Sequence, residues 1–253
     1  MDLWKRVLIF ATFILFSCGI ALISTALATD YWFSARPVFN TSLALSALDN
    51  RPSADGESLS SSTIGQLRPV ALNNEIAVHS GLFNGVRILD FGLGVRSTSF
   101  TVRDEVRSGD SFMSPGLWVT IILFAALALL WGVVGIVFAL INTVIVPYET
   151  ITGPLGLYLW SSLAVLCTFI SILLFVVQYY TTIFYDVLLK EHTSVGYTST
   201  GLTRFDYSFW MMLGALGAFA ANILLLLLSG LETKTKYASD EKEATVDNGV
   251  LMY

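Results

Sequence analysis

Four stretches of the chain run without a single charged side chain: 7–29, 111–148, 150–185 and 207–231. Each can hold the roughly 20 apolar residues that an α-helix needs to cross a hydrocarbon core. None shows the apolar–polar alternation of a barrel strand, and helices and closed barrels are the two forms that satisfy a backbone inside lipid. The pattern therefore predicts four spanning helices, at 7–28, 117–141, 155–178 and 208–230. It leaves a short leading segment 1–6, a long loop 29–116, a turn 142–154, a second loop 179–207 and a tail 231–253.

Inside the long loop the period changes. Residues 53–63, SADGESLSSST, are small and polar and read as mobile chain. From 75 to 102 the apolar positions Leu89, Phe91, Leu93 and Val95 alternate, which predicts half-buried strands. Gly81, Gly85, Gly92 and Gly94 mark turns or close backbone approach. A small antiparallel sheet against the helix ends is expected. Beyond the third helix, Phe184, Val187 and Leu188 keep helical spacing, so that helix is expected to continue before turns at Gly196 and Gly201. The charged tail from 232 reads as disordered.

Composition supports immersion in lipid. The chain is 55% hydrophobic and 13% charged, against about 25% charged in soluble domains. Net charge is −5 with no basic block, which argues against nucleic acid as a partner. Lys5 and Arg6 precede the first helix, and Lys234, Lys236 and Lys242 follow the fourth. Both ends are therefore expected in the cytoplasm, with 29–116 and 179–207 outside. Ala26-Leu27-Ala28 resembles a signal-peptidase site, but the apolar run before it is too long for a signal segment, so the first helix is expected to be retained. Asn40-Thr41-Ser42 is an N-glycosylation sequon in the expected outside loop. Trp118, Tyr158, Trp160, Tyr179, Tyr180 and Trp210 lie near helix borders and read as an interfacial aromatic belt.

Candidate chemistry is sparse. No acid, base or histidine lies within a predicted span, so the usual mark of an ion or proton path is missing. His79 and His192 stand in separate loops, and Cys18 and Cys167 fall inside spans as small buried hydrophobes. No nucleophile elbow, phosphate loop or dinucleotide fingerprint occurs. A non-enzymatic protein without cofactor or metal is expected. In the fourth span, Gly214 with Ala218 and Gly217 with Ala221 form small-xxx-small pairs, read as packing within the bundle. Asn142 and Asn222 are read as interhelical hydrogen-bonders. At the end of the sequence, Leu251 and Tyr253 have the alternate spacing of a PDZ ligand.

The turn PYETITGPLGLYL, 147–159, joins the second and third spans. Pro147 discourages helix at Val146, and Pro154 suits a first helical position. Glu149 and the Thr hydroxyls of the turn are placed to meet free amides at the start of the third helix. Pro147, Glu149, Thr150, Gly153, Pro154 and Gly156 together also resemble the P-x-E-T-x-x-G-P-L-G-L-Y-L turn of the clarin family. SGLFNGVRILDFGLG at 80–94, Ser208-Phe209-Trp210 and the final LMY are similar to clarin segments too. The resemblance implies a claudin-like fold, a left-handed four-transmembrane helix bundle with a small extracellular antiparallel β-sheet. It implies a membrane organiser whose partners are the lipid bilayer and other membrane proteins, calcium channels or adhesion proteins among them, in sensory cells or synapses. Alternatives are an auxiliary ion-channel subunit or a cell-adhesion protein. Where the family pattern carries two first-loop cysteines, this chain has Phe39 and Phe91.

Overall fold

The computed structural model of the chain describes residues 3–40, 42, 76–90, 95–108, 112–144, 154–185, 187–188 and 197–250. Four long helices dominate: α1 (Leu3–Ala28), α3 (Pro115–Val144), α4 (Pro154–Gln178) and α5 (Tyr207–Val250). Each contains a stretch long and apolar enough to cross a membrane: Val7–Ala28, Pro115–Thr143, Gly156–Ile183 and Tyr207–Leu228. Large side chains stay exposed along them, such as Ile14, Leu123, Leu166 and Leu224. Such an apolar outer surface would be untenable in water and matches hydrocarbon.

Between α1 and α3 the chain forms β1 (Phe33–Ala35), β2 (Val38–Phe39), β3 (Ile76–Ser80), β4 (Asn84–Asp90), β5 (Val95–Thr101) and a short α2 (Val102–Ser108). After α4, β6 (Tyr197–Thr198) and β7 (Thr203–Phe205) follow. A five-stranded antiparallel sheet runs in the order β5-β4-β3-β1-β7, and β2 pairs with β6. Both loops therefore contribute to each sheet. The β3–β4 connection is tight. Gly81 N–H donates to the Asn84 carbonyl at 2.8 Å, and a Cβ on Gly81 would lie 2.5 Å from the Thr29 carbonyl oxygen, so only glycine fits.

The chain divides into two compact units, with the division falling within the long helices. The first comprises 1–22, 125–169 and 214–253. Its core is the tilted pair Phe16 and Phe219, with ring centroids 6.0 Å apart. The rings occupy glycine notches: a Cβ on Gly19 would fall 2.5 Å from the Phe219 ring, and one on Gly135 would collide with the Phe16 ring. The second unit comprises 23–124 and 170–213 and holds both sheets. Trp32, fully buried, donates its indole N–H to the Ala26 carbonyl at 2.7 Å and meets Phe175 edge-on at 4.7 Å. Trp118 donates to the Leu82 carbonyl at 2.7 Å. These two indoles tie α1 and α3 to the chain around the sheet.

Several expectations are corrected. The third long helix does not continue regularly through Leu188: α-helical bonding ends at Gln178, a π-turn covers Tyr179–Ile183, and a turn follows at Phe184–Tyr185. Val187 and Leu188 are buried without being helical, the Val187 amide donating to the Ser199 hydroxyl at 3.0 Å. Gly201 does turn, with φ of +72°, whereas Gly196 lies outside the described residues. The tail is helical through Val250 rather than disordered. Residues 231–250 contain no proline and are rich in Glu, Lys and Ala, which favour helix once α5 has nucleated it. Val95 is 70% exposed. The hairpin pairs Asp90 with Val95, so parity switches and Val95 shares a face with Asp90, not with Leu89. The stretch 53–63, together with Phe91, Gly92, Leu93 and Gly94, lies outside the described residues.

Candidate functional site

Polar groups concentrate at three places. On the covered face of the sheet, Arg87 of β4 forms an ion pair with Glu105 of α2, the two side chains only 9% and 13% exposed. The Arg87 guanidinium also lies 4.1 Å from the centre of the Phe100 ring. An ion pair this shielded, stacked on an aromatic face, fixes α2 against the sheet. The edge of the same hairpin borders an open cleft of about 580 Å³, lined by Asp30, Asn84, Ser99, Thr101 and Asp104 among others.

The second place is Gln178, fully buried at the end of α4. Its carbonyl oxygen accepts from the Ser114 hydroxyl at 2.8 Å, and its amide donates to the Phe112 carbonyl and to Thr182. One neutral side chain thus binds the entry of α3 to the π-turn that closes α4. A π-turn redirects side chains locally; here the buried Tyr179 hydroxyl donates to the Thr203 carbonyl at 2.9 Å, and Thr203 Oγ1 donates back to it at 3.0 Å. Nearby, the hydroxyls of Thr29 and Ser208 meet at 2.7 Å between α1 and α5.

The third place lies in the first unit. Asn222 of α5 donates to the Ser161 hydroxyl of α4 at 2.9 Å, both side chains fully buried. That is the interhelical bond expected of Asn222. Asn142 behaves differently: it donates to the Phe138 carbonyl, four residues back on its own helix. Trp160 stacks on Trp131 at 5.5 Å and on Phe138 at 5.6 Å. Tyr180 and Trp210 are 57% and 60% exposed.

The remaining sequence candidates fall as follows. Asn40 is half-buried, and its Oδ1 accepts from the Ser42 amide at 3.0 Å and the Ser42 hydroxyl at 2.6 Å. The sequon is therefore folded into an Asx-turn, its amide nitrogen free of both bonds. Pro154 opens α4 and Gly156 is buried. Pro147, Glu149, Thr150, Gly153, Leu251, Tyr253 and His192 lie outside the described residues. In α5, Gly214, Gly217 and Ala221 are exposed and Ala218 half-buried, and a Cβ on Gly217 would meet nothing within 4 Å. The packing face of α5 runs instead through Met212, Ala215, Phe219, Asn222 and Leu226. His79 stacks on Tyr31 at 4.2 Å, and its Nδ1 pairs with the Asp30 carbonyl at 3.1 Å.

Arg87, Glu105 and Gln178 were missed by sequence reasoning. A weak signal existed for Arg87, which shares parity with Leu89 and so falls on the apolar face of its strand. Its partner, eighteen positions on in a different element, left no periodic trace.

The family model described as Clarin-2-like matches residues 74–226, more than half of the chain. The chain belongs to the clarin family. Mouse Clarin-2 is 27% identical over 191 residues, covering 70% of this chain and 74% of the relative. Human Clarin-1 is 25% identical over 231 residues, 91% of this chain and 90% of that one. Mouse Clarin-3 is 23% identical over 246 residues, 96% and 94%. This clarin is thus a tetraspan membrane protein, and its matched segment takes in the strands β3–β5, the π-turn and the spanning part of α5 up to Leu226. Phe39 sits in β2 opposite Tyr197 of β6, so backbone pairing holds that stretch to the second loop.

Proposed function

We propose that this clarin is a non-enzymatic organiser of other membrane proteins or of membrane–cytoskeleton junctions. The observation that carries the reading is the character of its buried polar groups. In the spans they are neutral (Thr12, Ser161, Thr168, Ser171, Gln178 and Asn222), and their hydrogen bonds join turns and helices of the chain itself. A pore or pump normally keeps charged or water-facing groups along its path. The organiser reading places both termini in the cytoplasm, the sheets outside, and the protein in the plasma membrane with a glycan on Asn40. Its partners would be calcium channels or adhesion proteins in sensory cells or synapses. The 147–156 turn would serve as a cytoplasmic docking surface, and Leu251 and Tyr253 would be offered to a PDZ scaffold.

Proximity labelling from the expressed protein tests the reading, with whole-cell recording of the same cells beside it. An organiser enriches a reproducible set of membrane proteins and adds no conductance of its own. A new current in cells expressing the chain alone would replace this reading with the ion-channel alternative.

A further inference from the structure

β5 is a free edge. It pairs with β4 along its whole length, Val95 to Thr101, and with no other strand among the described residues. Residues 95–99 and 101 are exposed and Phe100 half-buried. In an antiparallel ladder every second residue turns its N–H and C=O away from its neighbour, so this edge presents a row of backbone groups with no strand partner among the described residues. Natural sheets blunt such edges with proline, several charged side chains, bulges or very short strands, and β5 has a single charge, Arg96. β5 has seven residues and carries no proline, no lysine and no glycine. The opposite edge, β7, has only three.

We propose that β5 is a homodimerisation edge that pairs antiparallel with β5 of a second copy, about a two-fold axis at Thr98. The sequence of the strand supplies the argument. A two-fold axis along the sheet normal keeps faces in common, so opposed residues must share parity. Centred on Thr98, all seven residues find partners. Thr98 meets Thr98 of the partner subunit, Ser97 meets Ser99, and Val95, 70% exposed in this chain, meets Thr101. Arg96, the one charged residue of β5, comes opposite Phe100 of the partner subunit. Threonine pairs and cation–aromatic pairs are favourable across strands. Shifting the centre to Arg96 opposes two like charges, and shifting it to Phe100 leaves only residues 99–101 overlapping. The register of greatest overlap therefore also sets Arg96 opposite an aromatic ring and not opposite a second Arg96. The edge belongs wholly to the second unit, and the inference stands independently of the organiser reading.

Cysteine cross-linking in the full-length protein tests it, in a background with Cys18→Ala and Cys167→Ala. Directly opposed strand residues have Cβ atoms about 4.5–5.5 Å apart, close enough for a disulfide after small adjustment. Thr98→Cys should give, under mild oxidation, a band of twice the chain mass that reductant collapses. Differently tagged Ser97→Cys and Ser99→Cys chains expressed together should cross-link to each other more than either does to itself. Thr98→Lys should reach the same membrane and abolish co-precipitation of two tagged copies. Monomeric Thr98→Cys protein together with equal or absent cross-linking of the Ser97→Cys and Ser99→Cys chains would overturn the proposal. So would a disulfide from Thr98→Cys to a cysteine placed in residues 43–75 of its own chain, because the edge would then be covered from within.

Discussion

Single side chains decide how closely the helices approach. Gly135 is a socket for Phe16, and the Phe16–Phe219 contact anchors the core of the first unit. Gly135→Leu must displace that ring; overpacking of this kind typically costs about 1–3 kcal/mol. Purified in detergent, the variant should unfold at a lower temperature, followed by tryptophan fluorescence, whereas Gly217→Leu should not, since Gly217 faces open space. Arg87 offers a second residue-scale test. Arg87→Ala leaves the carboxylate of Glu105 nearly buried and unpaired, and breaking such a pair costs about 3–5 kcal/mol. The double variant Arg87→Met with Glu105→Leu should recover much of the loss, because an apolar pair of similar volume is commonly tolerated. A double variant no more stable than Arg87→Ala would show that the ion pair itself is required.

At the level of elements, α4 begins at Pro154 and is tied at its far end by Gln178. The buried Gly156 sits in its first turn. Gly156→Leu should force α4 from its neighbour and hold the protein in the secretory pathway, read as reduced surface staining. Glu149→Gln removes one charge from the turn before α4 and should reach the surface normally. Loss of partner enrichment in that variant would mark the turn as a docking site; unchanged enrichment would leave it structural. The helices were legible because lipid imposes a length and an apolar composition that no other element needs. The sheet was legible only in part. β3, β4 and β5 fall within the stretch 75–102 read as strand, although β5 is exposed along almost its whole length and shows no alternation; β1, β2, β6 and β7 are two or three residues long. Strands that short carry no measurable period; they form because partners distant in the chain are there to pair with.

For the whole molecule, the placement of Lys and Arg predicts cytoplasmic ends and an outward sheet. An epitope tag at either end should stain only after permeabilisation, and a tag that stains intact cells would invert the topology. A glycan-cleaving amidase should increase gel mobility, and Asn40→Gln should remove that shift. Absence of any shift in the parent protein would show the Asx-turn sequon to be unused.

By itself the sequence determined that the chain spans a membrane four times, that its first loop holds a sheet, and that its 147–159 turn has the clarin pattern. These are matters of composition, period and local motif, which neighbouring residues specify. Only the tertiary structure decided which face of α5 is buried, how Gln178 links α3 to α4, and that Arg87 has Glu105 to neutralise it. It also decided that β1 lies between β3 and β7. For α5 the physical reason is the lipid: nearly every position of a spanning helix is apolar, so hydropathy no longer separates inside from outside. For Gln178, the Arg87–Glu105 pair and β1, the partner lies far away in the chain and leaves no local trace. The choice passes to close packing and to hydrogen bonds between residues far apart in the chain.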